Sequence, residues 1–205
     1  MSSFGRRAFK PVYLLYYRLL FGRRFPGAAA LQRRVQAWEG ATGRGDAPAL
    51  RQQWEAQYGV GGWEFMRELD EGARYAVIAA YVHHLRPGGT VLDVGCGEGL
   101  LADRLRPLGY VRYLGVDLAA AAIAQAAARA DGQTVFVAAD AESYTPPARF
   151  DVVVFNESVY YFREPLASVA RYQDYLAPGG LFVVSTFRSH RADAIARLLQ
   201  RRYRT

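Results

Sequence analysis

Three glycines at alternate positions end the stretch VLDVGCGEG, in which an apolar run carries one acid. Gly95 and Gly97 lack a Cβ and can adopt positive φ, so a ligand can approach the backbone closely, while Gly99 lets the next helix pack near the strand. Dinucleotide sites use G-x-G-x-x-G, but Leu100 stands where the third glycine of that motif would be. The turn therefore predicts a nucleotide-type site other than a typical dinucleotide site, and a glycine-rich turn without a ligand is the alternative.

Carboxylates accompany this turn and end the apolar runs that follow it. Asp93 and Glu98 lie within the turn stretch, and two carboxylates there suit a cationic ligand better than a pyrophosphate. Asp117 ends the next run, where a carboxylate accepts hydrogen bonds from ribose hydroxyls. Asp140 ends the third run and could accept from an exocyclic amino group such as that of adenine. Each acid alone is as easily a helix N-cap, but acids at the ends of three consecutive strands favour a nucleoside-like ligand.

The elements that must position these residues alternate between strand-like and helix-like patterns. Near-continuous Val, Leu and Phe runs are typical of strands buried on both faces, and the stretches between them have helical spacing. We therefore predict an α/β fold, a Rossmann-like doubly wound parallel sheet with right-handed crossovers. The predicted strands are VLDVG, Tyr113–Leu118, Thr134–Asp140, Phe150–Ser158 and Leu181–Phe187; the predicted helices lie within 50–86, from Leu100, over Ala119–Ala130, over 164–176 (ended by Pro178-Gly179-Gly180) and after Phe187.

Charge is distributed unevenly along the 205-residue chain, whose net charge is +7. Residues 1–38 contain eight basic residues and no acid, so the remainder has 26 − 8 = 18 basic and 19 acidic residues. The main domain therefore lacks the basic stripe of a nucleic-acid-binding surface, and we expect no nucleic-acid partner. One cysteine and no long apolar run predict a cytoplasmic protein.

We predict a basic aromatic helical extension and linker over 1–49, with the loop at Glu39–Pro48. A domain follows over 50–205, with lid helices at 50–86 and a core at 88–205.

Taken together, these segments resemble the successive motifs of the class I S-adenosylmethionine-dependent methyltransferases. The resemblance rests on VLDVGCGEG, YLGVDL, VAADAES, FDVVVFNESVYY and LAPGGLFVVS, and covers about residues 50–190. It implies S-adenosylmethionine as cofactor, S-adenosylhomocysteine as product and a methyl transfer reaction. By this resemblance, the cofactor-binding residues are Asp93, Gly95, Cys96, Gly97, Glu98 and Gly99 for the methionine and ribose part, Asp117 with Leu118 for the ribose hydroxyls, Asp140 with Ala141 for adenine, and Asn156, which closes over the cofactor.

Candidate catalytic residues follow the fourth predicted strand, in NESVYY. Displacement of a methyl group from a sulfonium needs alignment of the reactants and, for some nucleophiles, removal of a proton. We predict that Glu157 orients or deprotonates an oxygen or nitrogen atom of a small-molecule acceptor, and that Tyr160 or Tyr161 lines the acceptor pocket. Similar segments occur in enzymes that resemble the nodulation N-methyltransferases. The alternative is that Glu157 caps the next helix and the tyrosines belong to the core.

A helix and loop, WEAQYGVGGWEF, precede the predicted core. In similar enzymes such a segment folds over the cofactor as a lid. Tyr58 and Arg74 are therefore further candidate cofactor contacts, with Arg74 directed at the methionine carboxylate. Ordinary helix packing is the alternative for both residues. No metal site is expected, because the three histidines and one cysteine have no ligand spacing.

The two ends of the chain give separate expectations. The basic, aromatic residues 1–38 predict peripheral contact with an anionic membrane surface or with a protein partner, the alternative being a helix packed on the domain. Folds of the resembled family continue after the fifth strand with a helix and an antiparallel hairpin, whereas this sequence supplies the helix and stops. We expect five strands with the hairpin missing or truncated, and a fifth strand whose open edge could pair with another chain.

Three functions follow from these patterns. The first is a methyltransferase that acts on a small-molecule acceptor. The second is a non-catalytic protein that binds S-adenosylmethionine or serves as a scaffold with an incomplete site. The third is an NAD(P)-dependent oxidoreductase, which Leu100 and the fourth-strand motif disfavour.

Overall fold

The structure, a computed structural model, describes residues 11–40 and 47–203. Five strands of these ranges form one parallel sheet in the order β3-β2-β1-β4-β5. The chain leaves β1 in one direction and returns to its other side with β4, which places a topological switch point between β1 and β4. The predicted five-stranded, doubly wound sheet is confirmed. The strands are β1 Gly88–Val94, β2 Tyr110–Asp117, β3 Thr134–Ala138, β4 Phe150–Asn156 and β5 Leu176–Ser185.

Eight longer helices and five short 3-10 helices accompany the sheet in the described ranges. They precede β1, separate β1 from β2, β2 from β3 and β4 from β5, or follow β5, while residues 139–149 connect β3 to β4 without a helix. The helices are α1 at residues 11–20, with a π-helical end over Tyr16–Leu20, α2 Ala28–Gly40, α3 Ala47–Gly59, α4 Leu69–Leu85, α5 Leu100–Leu105, α6 Ala120–Ala126, α7 Pro165–Tyr172 and α8 His190–Arg202.

Side chains of the central strands alternate between two apolar clusters, as the two-residue period of a strand requires. Leu92 and Val153 belong to the cluster that includes residues of α7 and α8. Val91 and Val152 belong to the cluster that includes residues of α4 and α5. All four are fully buried. Burial on both faces explains why these strands appear as continuous apolar runs in the sequence.

The N-terminal helices pack on the main domain through an aromatic cluster. Tyr13, Tyr16 and Tyr17 of α1 are buried with Val35 of α2 and Ala194 of α8. The packed-helix alternative is therefore correct for this face of α1. Of the helices in the described ranges, none is long and apolar enough to cross a membrane.

Two predicted loops differ from the structure. The predicted boundaries of the loop at Glu39–Pro48 are wrong, because α2 extends to Gly40 and α3 begins at Ala47. Residues 41–46 lie outside the described residues. Pro178-Gly179-Gly180 was predicted to end a helix but lies inside β5, where the register with β4 shifts. Proline is tolerated in an edge strand, and within the described residues β5 pairs only with β4. Pairing of its open edge with a second chain stays a prediction.

Candidate functional site

The glycine turn lies at the carboxyl end of the central strand β1, beside the switch point. Gly95 and Gly97 both have positive φ, 81° and 54°. A Cβ on Gly95 would collide with Ser158, and one on Gly97 would lie 2.8 Å from the Tyr58 hydroxyl oxygen. Glycine is therefore required at both positions, as the sequence predicted.

A cavity of about 580 Å³ opens at this edge of the sheet, within the usual range for small-molecule sites. It extends from the glycine turn to the residues that follow β4, and the lid segment forms one wall. All predicted site residues except Asp93 and Gly99 line it. The lining residues among those predicted are Tyr58, Arg74, Gly95, Cys96, Gly97, Glu98, Asp117, Leu118, Asp140, Ala141, Asn156, Glu157, Tyr160 and Tyr161.

Asp93 and Gly99 serve the scaffold beneath the cavity. Asp93 is 1% exposed and its Oδ2 accepts a 2.5 Å hydrogen bond from the Tyr113 hydroxyl. A Cβ on Gly99 would collide with the ring of Phe136 in β3, so this glycine permits close packing of α5 on the sheet. Neither residue lines the cavity, and their predicted contact with a ligand stays a prediction.

Burial gives Asp93 an unusual titration. Desolvation raises its pKa to about 7, although the Tyr113 hydroxyl stabilises the carboxylate and opposes that rise. Its Oδ1 is buried without a hydrogen-bond partner in the described structure. In the unfolded chain the carboxyl group ionises near pH 4. Between about pH 4 and 7 the folded state therefore holds one more proton, and the free energy of unfolding must fall as pH rises.

We therefore expect Asp93→Asn to remove this pH dependence. Asparagine keeps an acceptor for Tyr113 but does not ionise. From about pH 5 to pH 8 the wild-type chain should lose about 2 to 3 kcal/mol of stability through this group, and the variant should lose correspondingly less. Urea unfolding at both pH values measures the difference. Parallel pH curves for the two proteins would contradict the assignment.

Asp117 connects the turn to the start of α6. Its Oδ2 accepts from the Gly97 amide at 2.8 Å, and its Oδ1 accepts from the Ala119 amide at 2.9 Å. Burial raises its pKa above the usual range, and these amides oppose the rise. Asp140 also accepts a backbone hydrogen bond, because its Oδ1 accepts from the Glu142 amide at 2.9 Å. Both carboxylates thus cap backbone amides and also line the cavity, so neither of the two predicted roles excludes the other.

The carboxylates of the turn do not form a negative pocket. Arg67 donates from Nε to both carboxylate oxygens of Glu98, at 3.1 and 3.0 Å, and forms an ion pair with it. Asp93 does not line the cavity, and burial raises its pKa to about 7. The two acids therefore contribute less negative charge to the cavity than the sequence suggested, because Glu98 is paired with Arg67 and Asp93 is buried.

Helix α3 is held against the first turn of α6 by a contact that sequence reasoning missed. The carboxylate of Glu55 in α3 accepts from the amides of Ala120 and Ala121, at 2.7 and 2.9 Å. One turn along, Tyr58 lies over Gly97. Burial raises the pKa of the Tyr58 phenol, which therefore stays protonated. Glu55 and Tyr58 together place α3 over the glycine turn.

A second group of residues follows β4, in the segment 157–163, which we call the exit loop. Glu157 has φ 55°, the one positive value for a residue other than glycine in the described ranges. Such a backbone conformation is strained and is concentrated at functional sites. The Tyr160 hydroxyl donates to Glu157 Oε2 at 2.9 Å, and Arg74 Nη1 lies 3.7 Å from Oε1. Glu157 thus contacts side chains in the cavity, and the helix-cap alternative does not describe these contacts.

Aromatic rings form the wall beside the exit loop. The ring of Tyr161 lies edge-on to Trp54 at 4.9 Å and against Tyr160 at 4.6 Å. Burial raises the pKa of the Tyr160 phenol, and the neighbouring Tyr161 and Glu157 add to the rise. Tyr160 is therefore a hydrogen-bond donor and not a base at neutral pH. Glu157 is the acceptor to which it donates.

Several residues of the site have no local sequence signal. Glu142 accepts from the amides of Arg163 and Glu164, and Arg191 of α8 lines the cavity. Their partners lie more than twenty positions away along the chain. Trp54 was within reach of sequence reasoning, because it is four positions from Tyr58 and shares its helix face.

Comparison with known proteins agrees with this geometry. The sequence profile of a family described as a methyltransferase domain matches residues 64–204. The ubiquinone biosynthesis O-methyltransferase of Leptothrix cholodnii is 38% identical over 105 residues, which are 48% of this chain and 44% of that protein. The chain spans about half the length of the curated relatives that it matches.

Solved structures share the fold. The N-methyltransferase NodS from Bradyrhizobium japonicum WM9, in complex with S-adenosyl-L-homocysteine, superimposes with a TM-score of 0.59 at 22% identity, over 65% of this chain and 71% of that one. At that identity the likeness establishes the fold alone. The cyclase SpnF has a TM-score of 0.50 at 28% identity, over 55% of this chain and 44% of its own.

Proposed function

The chain belongs to the class I S-adenosylmethionine-dependent methyltransferases, and from that premise we propose that it transfers a methyl group to an oxygen or nitrogen atom of a small-molecule acceptor. One observation carries the proposal. A single cavity joins the glycine turn and Asp117 at one end to Glu157 and Tyr160 at the other. A donor held at the first end would present its methyl group toward the second.

Residues at the first end fit the donor. Asp117 retains lone pairs beyond its two amide contacts and can accept from ribose hydroxyls. Asp140 and Ala141 line the same cavity, which supports the proposed contact with the adenine ring. Arg74 already pairs with Glu71 at 2.8 Å, but its buried Nε has no hydrogen-bond partner in the described structure. That unsatisfied donor supports a contact with the methionine carboxylate.

The chemistry assigned to the second end is positioning and proton removal. When bound, S-adenosylmethionine supplies a methyl group that is already activated on a sulfonium. The protein must therefore align the acceptor atom and exclude water. Glu157 accepts from Tyr160 through Oε2, and its carboxylate can also accept the proton of an acceptor hydroxyl or amine. Trp54 and Tyr161 form an apolar wall suited to a planar or apolar acceptor.

Calorimetric titration with S-adenosylhomocysteine and with NAD tests the donor assignment. We expect micromolar binding of the first and none of the second, and NAD binding would sink the proposal in favour of an oxidoreductase. Transfer of a labelled methyl group to a small-molecule extract then tests catalysis. The fold alone does not guarantee that reaction, since SpnF is a cyclase. Donor binding without transfer to any extract would favour the non-catalytic alternative.

The outer face of α1 supports a second proposal, peripheral contact with an anionic membrane. Val12, Leu15 and Leu19 are 41, 53 and 48% exposed, whereas Tyr13, Tyr16 and Tyr17 are buried, so α1 presents apolar side chains on its outer surface. The adjacent Arg18, like the arginines after α1, is exposed, and residues 1–38 contain no acid. An apolar strip bordered by arginines is complementary to anionic lipid headgroups.

Co-sedimentation with vesicles of an anionic phospholipid tests this surface. Arg18→Gln, Arg23→Gln and Arg24→Gln together should weaken binding roughly a hundredfold, since each basic residue near such a surface contributes about 1 kcal/mol. The matched control replaces three exposed arginines of the main domain, Arg104, Arg112 and Arg149. Equal loss in both triple variants, or no vesicle binding by the wild-type chain, would end the membrane proposal.

A further inference from the structure

Arg191 stands in the first turn of α8 and is charged yet only 8% exposed. Its guanidinium donates hydrogen bonds to two backbone carbonyls of the exit loop. Nε donates to the carbonyl oxygen of Tyr160 at 2.9 Å, and Nη2 donates to that of Phe162 at 2.5 Å. These two carbonyls flank Tyr161, whose ring forms part of the cavity wall. The position of that ring therefore depends on a side chain outside the loop.

The other edge of the same guanidinium contacts the N-terminal helices. Its Nη1 donates to the hydroxyl of Tyr17 in α1 at 2.7 Å and to Oε2 of Glu39 in α2 at 2.5 Å. The Tyr17 hydroxyl donates in turn to Oε1 of Glu39 at 3.0 Å. Both partners are almost fully buried, at 3 and 2% exposed. Each polar group in this cluster is satisfied by the other two.

We infer that Arg191 is a positioning residue through which α1 and α2 fix the exit loop and hence the acceptor side of the cavity. A buried guanidinium needs a counter-charge, and Glu39 supplies it from a helix that precedes the main domain. The planar fork of arginine serves both edges at once, which the single ammonium of lysine cannot. The inference rests on the proposed function only in assigning the exit loop to the acceptor.

The test is amide hydrogen exchange of the full chain, which needs no acceptor and no turnover. In the exit loop the Tyr161 amide donates to Ser158 and the Phe162 amide donates to Val159, so both report on the order of the loop. Glu39→Gln removes the counter-charge but keeps the shape. Arg191→Met with Glu39→Gln removes both charges and leaves no buried ion unpaired.

We expect exchange in the exit loop to rise about tenfold in Glu39→Gln and further in the double variant, because charged hydrogen bonds to two carbonyls are weakened and then lost. Exchange in β1 and β4 should not change. Arg197→Gln is the matched control, since Arg197 also lies on α8 and donates to the Tyr17 carbonyl, at 3.3 Å, but forms no hydrogen bond with the exit loop in the described part of the chain. It should leave the loop as in the wild-type chain.

Three results would overturn the inference: unchanged loop exchange in the double variant, equally faster exchange throughout the sheet, or a loop equally loosened by Arg197→Gln. Binding of S-adenosylhomocysteine is measured on Glu39→Gln, since Glu39 does not line the cavity, and should change less than threefold. A wild-type chain that fails to bind it would refute the proposed function but leave the exchange result interpretable. Once an acceptor is found, Glu39→Gln should raise KM more than it lowers kcat.

Discussion

Asp117→Ala should raise the dissociation constant of S-adenosylhomocysteine by roughly a hundredfold or more, the largest expected effect on binding. The change removes the acceptor of the Gly97 and Ala119 amides and the proposed acceptor of the ribose hydroxyls. Hydrogen bonds to a charged group contribute about 1.5 to 3 kcal/mol each. Loss of two such contacts therefore accounts for a change of this size. Calorimetric titration measures it directly.

Asp131→Ala is the matched control for that variant. The Asp131 Oδ1 also accepts two backbone amides, those of Gln133 and Thr134, both at 2.8 Å. It lies before β3 and does not line the cavity. Both variants should lose some stability through the freed amides, but only Asp117→Ala should lose affinity. If the two variants bind S-adenosylhomocysteine equally well, Asp117 only accepts hydrogen bonds from the Gly97 and Ala119 amides and does not bind the ribose.

The sheet was predictable because its central strands are buried on both faces and short crossovers separate the strands. Each predicted strand exists, and the errors lie at boundaries where a local signal was overridden. Pro178-Gly179-Gly180 reads as a helix stop, yet it forms an irregular part of β5. Glu39 reads as the start of a polar loop, yet it is buried in α2 opposite Arg191, 152 positions later. A partner so distant leaves no trace in local composition.

The candidate site was predictable to the extent that it lies at the carboxyl ends of strands. The glycine turn, Asp117, Asp140 and Asn156 end successive strands, so topology alone brings them to one edge. Charge was harder to judge. Glu98 is an acid in the sequence, but Arg67 neutralises it in the fold. The charge of a sequence motif can be judged only when the ion-pair partners of its residues are known, and here the partner lies in another element of the fold.

Glu157→Gln should lower the single-turnover rate of methyl transfer by about a hundredfold to ten-thousandfold, the range that general bases contribute. Glutamine has the same backbone restriction as glutamate, so the strain at φ 55° persists. The amide oxygen can still accept from Tyr160, and Arg74 keeps Glu71 as a partner. Only the negative charge and the ability to take a proton are removed. Affinity for S-adenosylhomocysteine should change less than threefold.

The measurement uses excess enzyme, labelled S-adenosylmethionine and the acceptor fraction that the wild-type chain methylates. Glu71→Gln is the control, because Glu71 shares Arg74 with Glu157 but forms no hydrogen bond or ion pair with the exit loop in the described structure. If both variants slow transfer equally, the rate depends on the ion pairs that hold Arg74 in place. If neither does, Glu157 only supports Tyr160, and proximity alone drives the reaction, as an activated donor permits. A loss confined to Glu157→Gln assigns proton removal to its carboxylate, which the strained backbone holds in the cavity.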